Sequence, residues 1–511
     1  MIVFMDIKKI VIDNKDTKKI CENGFSCGNI SITVNNFDIK ALSSGEKLSF
    51  IRIFFESNQA FSLILSDTWE RAYGDLSWHV PLSCEKMPWY FAGIESGKTC
   101  CYGVKTGANA FCSWTVENGD IILTIDVRNG RMPLQLNGEL SLCTLCFKEY
   151  TCDAFDALCD FCREMCDNPR IPKRQIFGGN DWYCNYGDNS YDKILTHTKR
   201  IAECSKNCSQ KPFMVIDDGW EILHHQSEND DEYYNGGPWR YANDNFGDMK
   251  KMADAIKNEG AIPGIWLRPL WTIEKYPKEY LLKSKGIKDT LDPSHPEVLN
   301  LIKRDIKTIK DWGYKLIKHD FTSFDIFGQW GFEMTEDIFR DEIEFYDKTK
   351  TTAQIIKNLY MTIREAAGDD ILIMGCNTIS HLSAGIFDIQ RTGDDTSGLD
   401  FERTKKYGIN TLAFRMCQHN AFYAVDADCV GITKHIDWKT NKKWLDVLSK
   451  SGTPLFVSIA EDCYTDEIKD DIKTAMENAD KNNKISKPLD WFETKTPKSW
   501  ERSFGLDKYE W

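Results

Sequence analysis

Residues 314–325 read YKLIKHDFTSFD. The apolar pair Leu316 and Ile317 runs straight into Lys318, His319 and Asp320. A strand buried on both faces reads as a short apolar run, and burying an unpaired charge is costly. Ionisable residues at the end of such a run therefore mark a strand that stops at a water-filled site. Parallel sheets covered by helices are built this way, with their chemistry at the C-terminal ends of the strands.

The same texture repeats on both sides of this stretch. Strands are expected at QIFGGN (175–180), PFMVIDD (212–218), AIPGIWL (261–267), YKLIKHD (314–320), ILIMGC (371–376), IFDIQR (386–391), INTLAF (409–414) and TPLFVS (453–458). Amphipathic helical patterns such as DMKKMADAIKNEG (248–260) and EVLNLIKRDIKTIKDWG (297–313) lie between most of them. Eight strands alternating with helices predict a (β/α)8 TIM barrel over residues 166–480, with the short NTISHLSAG link (377–385) its least regular joint. A doubly wound sheet competes less well. The first strand–helix turn lacks G-x-G-x-x-G, and G-x-x-x-x-G-K-[ST] does not occur.

Residues 1–165 read differently. Period-two runs such as ISITVNNFDIKAL, LSFIRIFFES, AFCSWTV and DIILTIDVRNG predict an N-terminal antiparallel β-sandwich, with Trp69, Trp78 and Trp89 filling space from its longer loops. Residues 481–511 are aromatic and charged and are expected to pack back on the barrel as a C-terminal extension.

Composition narrows the function classes. With 511 residues, 42% hydrophobic and 28% charged, the chain has the make-up of an ordinary globular protein of two or three domains. A net charge of -14 argues against nucleic acid or anionic membrane as a partner. No signal-peptide pattern or membrane-length apolar run is present, and the 19 cysteines read as reduced thiols, so a cytoplasmic location is expected. The cluster from Cys143 to Cys166 contains C-x-x-C spacings without a matching second arm, which disfavours zinc.

Residues following each apolar run test the barrel reading. The second strand ends in Asp217, Asp218 and Trp220, the third in Trp266 and Arg268, the fourth in Lys318 and Asp320. Cys376 and Asn377 follow the fifth; Arg391, Asp394 and Asp395 end the sixth; His419, Asp426 and Asp428 come after the seventh. Carboxylates, cations and tryptophans thus converge on one face. That mixture suits a sugar, whose apolar face stacks on aromatic rings and whose hydroxyls meet charged groups. Glycoside hydrolysis needs two carboxyl groups in such a ring. Simpler roles stand beside this one: Asp217 or Asp218 as a helix cap, Lys318 and Asp320 as a structural ion pair, Asp394 as a turn residue. A Mg²⁺ or Zn²⁺ site would use the same carboxylates, but H-E-x-x-H is absent and tryptophan and arginine tips suit a cation poorly.

Five segments in order, VIDDGWE, LDPSHPEV, IKHDF, RTGDDT and DADCV, resemble those of the melibiase-type α-galactosidase clan of glycoside hydrolases, over most of residues 170–460. The clan includes α-N-acetylgalactosaminidases and raffinose-synthase-like enzymes. The resemblance implies a retaining exo-glycosidase acting on terminal α-galactosyl residues, with Asp320 as nucleophile and Asp395 as acid/base. Asp217, Asp218, Trp220, Trp266, Arg268, Lys318, Cys376, Asn377, Arg391 and Asp394 would contact the sugar, and no cofactor or metal is implied. An Asp394/Asp395 exchange of roles, an N-acetyl preference at C2, transfer to a sugar acceptor, a catalytically inactive sugar-binding protein and a homo-oligomer all stay open. The fifth-strand end, CNTISHLSAG, departs from the glycine-rich form typical of bacterial α-galactosidases, and WLRPL lacks the acidic residue often found after the third strand. His319, alternating with Lys318 and Asp320, is expected to point into packing.

Overall fold

The structure is a computed structural model that describes residues 6–57, 59–222, 224, 234–284, 290–503 and 505–511. Its centre is one parallel sheet. In spatial order the segments are Ala424–Asp426, Ile389–Arg391, Leu372–Gly375, Leu316–His319, Ile262–Leu267, Phe213–Ile216, Phe177–Asn180, Leu455–Ile459 and Cys429–Ile432. The first and last of these are consecutive in the chain, separated only by Ala427 and Asp428. The sheet therefore curls until a single stretch of chain carries both its edges. Strands are short and buried along their length; the fourth is buried from Leu316 to His319.

The helix before that strand shows how the sequence sets the register. Pro296 starts Pro296–Trp312 just after the His295 cap, where a missing N–H costs nothing, and Gly313 ends it at φ 97. Val298, Ile302, Ile306 and Ile309 form its buried face. The chain then leaves directly into Leu316.

One expected strand is corrected. INTLAF (409–414) is helical, in a π-turn over Thr404–Asn410 that continues as Thr411–Arg415. Ile409, Leu412, Ala413 and Met416 are buried at helical spacing, and a short apolar run does not separate helix from strand by itself. The stretch 424–432 supplies the two edge strands instead, Ala424–Asp426 and Cys429–Ile432, hidden in the sequence because Asp426 and Asp428 interrupt the apolar run. Those aspartates belong to the strand region rather than following it.

The amino-terminal residues form two antiparallel sheets of six and eight strands. Rings from the two sheets meet, Phe55 and Trp114 of one lying 5.5 and 5.8 Å from Phe147 of the other. Between Ser66 and Met87 a long loop leaves these sheets and docks on the parallel one. Ala72 N–H donates to Thr392 O at 2.7 Å, and Asp394 N–H donates to Ala72 O at 3.1 Å. Asp67 anchors the loop through a buried pair with Arg415 at 2.8 Å. Near the carboxy terminus a small three-stranded sheet packs Trp491 against Phe414, Phe155 and Trp78. All 19 cysteines are free. Among the described residues no helix is long and apolar enough to cross a membrane.

Candidate active site

A cavity of about 500 Å³ opens at the C-terminal ends of the parallel strands. Asp217, Asp218, Trp266, Lys318, Asp320, Asp394 and Asp395 line it.

Asp320 is 8% exposed. It accepts hydrogen bonds from Trp266 Nε1 (3.1 Å), the Phe321 N–H (2.8 Å) and the Asn377 N–H (3.1 Å). Burial pushes its carboxyl up, but the Lys318 and Arg71 cations and these donors more than offset that and hold it below the usual carboxylate range. Lys318 is itself fixed at 2.6 Å from Asp217, which keeps it charged against the cost of its burial. Asp217 also accepts from Asn180 at 2.6 Å.

Asp395 differs. Its side chain is 35% exposed, 3.3 Å from Arg391 and 3.6 Å from Arg71. Its carboxyl is raised, first by desolvation, with Asp428 and Asp394 adding to that while Arg71 and Arg391 oppose it. The neighbouring Asp394 is engaged by Arg71 at 2.8 Å and Arg403 at 3.6 Å. Arg391 is held from behind by Asp426 at 3.2 Å and Asp428 at 2.7 Å.

Five residues expected to touch a ligand lie behind the lining instead. Trp220 is fully buried, donating to Trp266 O at 2.9 Å and packing on Trp239 and Trp312. Arg268 is paired with Asp325, lies 4.1 Å from Trp271 and 4.3 Å from Phe321, and donates to Asn235 at 2.7 Å. Asn235 in turn donates to Asp218 at 2.9 Å, so Arg268 braces the cavity wall through it and through Phe321. Cys376, Asn377 and Arg391 are buried beneath the surface of the site. His319 packs on Tyr360 and Phe387, as alternation along the strand predicted. His419 lies outside this cavity and accepts from the Val425 N–H at 3.1 Å.

The site also holds residues the sequence did not single out. Arg71 and Tyr73 come from the docked amino-terminal loop, and Trp182, Tyr186, Trp330 and Phe332 add aromatic wall. Glu70, fully buried, accepts from Tyr73 OH (2.6 Å), Gly331 N–H (2.8 Å), Asn377 Nδ2 (2.9 Å) and Ser323 Oγ. It thereby ties the loop to the residue whose backbone N–H reaches Asp320. No spacing rule points to a residue some 250–320 positions away in sequence; the only local signal was the dense polar run in DTWERAYGD.

Asp218, Glu221 and His224 bring donor atoms within 4.8 Å of one another, a set able to hold a cation. Burial and Asp218 push Glu221 up to about 8. Burial alone would depress the imidazole of His224, but bonds to Asp218 and Glu221 carry it up to about 10. The imidazolium thus supplies the positive charge this cluster needs.

The fold, a parallel sheet curled around carboxylates and joined to antiparallel sheets, is matched by solved α-galactosidase structures. The α-galactosidase from Thermus thermophilus, in complex with p-nitrophenyl α-D-galactopyranoside, matches with a TM-score of 0.62 and 16% identity over 94% of this chain and 99% of that one. The α-galactosidase from Lactobacillus brevis matches at 0.59 and 13%, over 93% and 70%. A GH36 α-galactosidase from Geobacillus stearothermophilus, in complex with stachyose, matches at 0.59 and 14%, over 89% of this chain and 65% of its own length. No protein-family model matches the sequence.

Proposed function

We propose that the protein is a retaining exo-α-galactosidase. The observation that carries this is one cavity holding two carboxyl groups pushed in opposite directions, Asp320 below its ordinary range and Asp395 above it. Proton affinities pushed apart in this way support Asp320 as the nucleophile and Asp395 as the acid. Asp320 attacks the anomeric carbon while Asp395 gives its proton to the leaving oxygen. The glycosyl–Asp320 ester then forms, and Asp395, now a base, takes a proton from the water that releases the sugar. Asp217, Asp218 and Lys318 bind hydroxyls of the galactosyl ring, and Trp266 donates to the nucleophile while offering it an apolar wall. Asp394, which Arg71 approaches to 2.8 Å while no arginine comes nearer than 3.3 Å to the carboxylate of Asp395, is the counter-ion rather than the acid.

On this reading the curled sheet is a (β/α)8 barrel in which 424–432 counts as one strand, and the antiparallel sheets are a β-sandwich. Residues 1–165, 166–480 and 481–511 are the three units. Nineteen unpaired thiols support a reducing, cytoplasmic compartment.

The test is a panel of p-nitrophenyl glycosides, with the anomer of the first product followed by NMR. Release from the α-galactoside with retained configuration is expected, with turnover lost in Asp320→Ala and reduced in Asp395→Ala. Preference for the α-N-acetylgalactosaminide would reassign the substrate, an inverted product would overturn the mechanism, and no release from any glycoside would overturn the reading.

A further inference from the structure

The opposite end of the parallel sheet holds a cavity of about 330 Å³ that shares no lining residue with the catalytic one. It lies where the chain enters the sheet. Ile176, Ala424 and Pro454 line it, at or just before the starts of Phe177–Asn180, Ala424–Asp426 and Leu455–Ile459. Its charge runs against that of the molecule. The chain carries a net charge of -14, yet Lys173, Arg174 and Lys481 line this cavity against one carboxylate among the described residues, that of Asp480.

That carboxylate is committed elsewhere. Asp480 accepts from the Ser209 N–H at 2.6 Å and from Ser209 Oγ at 3.0 Å. Arg174 is held by neutral partners: its Nε donates to Gln175 O at 3.3 Å, its Nη2 donates to Lys211 O, and the guanidinium lies 5.1 Å over Phe213. Burial pulls it below its ordinary range, opposed by the charge of Asp480. Lys173 pairs with no carboxylate among the described residues, and Lys481 meets Glu477 at 3.6 Å in a solvent-facing pair worth little. His419 adds a neutral patch of floor, since Nδ1 accepts from the Val425 N–H at 3.1 Å and burial pulls the imidazole down to about 4. A surplus of positive charge thus surrounds a concave space at the small end of the range for ligand sites. A phosphate monoester, close to a dianion at neutral pH, matches that surplus better than a carboxylate does. We propose that this cavity binds a small phosphate monoester. Its oxyanion sits among Arg174, Lys173 and Lys481, and the side-chain amides of Gln175, Gln210, Asn420 and Asn483 meet the hydroxyls of the remainder.

The test needs no glycoside and stands apart from the catalytic reading. The full chain is titrated by calorimetry with glycerol phosphate, acetate and glycerol in a chloride buffer of constant ionic strength. One equivalent of glycerol phosphate is expected to bind, about tenfold or more tighter than acetate, and glycerol alone is expected not to bind. Arg174→Gln and the double variant Lys173→Gln/Lys481→Gln should each weaken glycerol phosphate by about tenfold. Both lysines are exposed, so the double variant keeps the fold even where Arg174→Gln does not, and thermal melts check both. Arg71→Met removes a cation from the catalytic cavity instead and should leave this affinity unchanged. No binding of glycerol phosphate, equal affinity for acetate, an affinity untouched by the lysine variant, or a loss in Arg71→Met overturns the inference.

Discussion

Asp320 ends a strand, 8% exposed, with Trp266, Phe321 and Asn377 donating to it. Asp395 sits on a loop with its side chain 35% open, and its close partners are arginines. The half of the site around Asp320, the proposed nucleophile, is made by strand tips that the sheet places side by side. The half around Asp395, the proposed acid, is assembled from the sixth strand's loop and a segment that crosses from the amino-terminal sheets. A buried carboxylate stays ionised where donors and a lysine surround it. The carboxyl of Asp395 is raised instead, first by desolvation and then by the neighbouring carboxylates Asp428 and Asp394.

Removing each group should expose that asymmetry most strongly. Asp320→Asn is expected to lower kcat/KM by roughly 10⁴-fold or more on every substrate, because no other group can form the ester. Asp395→Asn should cost about 10²–10⁴-fold on oligosaccharides and less on p-nitrophenyl galactoside, whose leaving group needs little proton help. Asp394→Asn should lose less than Asp395→Asn on oligosaccharides. Steady-state kinetics on both substrate types check this, and the reverse order for Asp394 and Asp395 would exchange their roles.

Arg71 is the residue through which the two halves communicate, since its charge lowers the proton affinity of both carboxyls. Arg71→Met should reduce kcat/KM by about 10²-fold, as for loss of one preorganised charge in a closed site. It should also move both limbs of the pH profile to higher pH: the acidic limb because Asp320 ionises later, the basic limb because Asp395 holds its proton longer. If only the amplitude changes, Arg71 serves binding and not the tuning of the pair.

The two halves were unequally legible. Asp217, Asp218, Lys318, Asp320 and Asp395 could be read because a parallel sheet converts the residue after each apolar run into a neighbour of the others. That logic is local, and it over-reached at Trp220 and Arg268, which lie near strand ends but face packing. It failed at INTLAF for a related reason: a six-residue run with four apolar residues fits a helix as well as a strand, while the stretch that does supply strands, Ala424–Asp426 and Cys429–Ile432, is broken by Asp426 and Asp428. Arg71 and Glu70 were out of reach because their partners lie hundreds of residues away and only the assembled fold brings them near.

Glu70 tests how firmly the crossing loop is held. It is fully buried and answers four donors, so Glu70→Ala leaves the hydroxyls of Tyr73 and Ser323, the Asn377 amide and the Gly331 N–H without their acceptor. Buried donors left unmatched cost about 3 kcal/mol in aggregate here. A lowered urea midpoint together with a falling kcat is expected, because the loop and Asn377 loosen together. Lost stability with unchanged kcat would mean that the nucleophile's half keeps its geometry unaided.

The smallest effect is expected on the nucleophile's side, at His224. Its imidazole is carried up to about 10 and Glu221 up to about 8, both above their unfolded values of about 6.5 and 4.3. Both groups therefore bind protons in the folded chain that they release on unfolding, so stability falls as pH rises. For His224 the stabilisation is complete below about pH 6.5 and is lost as pH climbs through about 10. His224→Gln keeps a donor but no titrating charge, and should flatten that part of the decline, worth about 1 kcal/mol for a partly solvated pair. Urea melts of both proteins at intervals across this range would show it. A decline equally steep in the variant would mean that Asp218 does not rely on the imidazolium, and that a bound cation is the better counter-charge for the carboxylates on this side of the cavity.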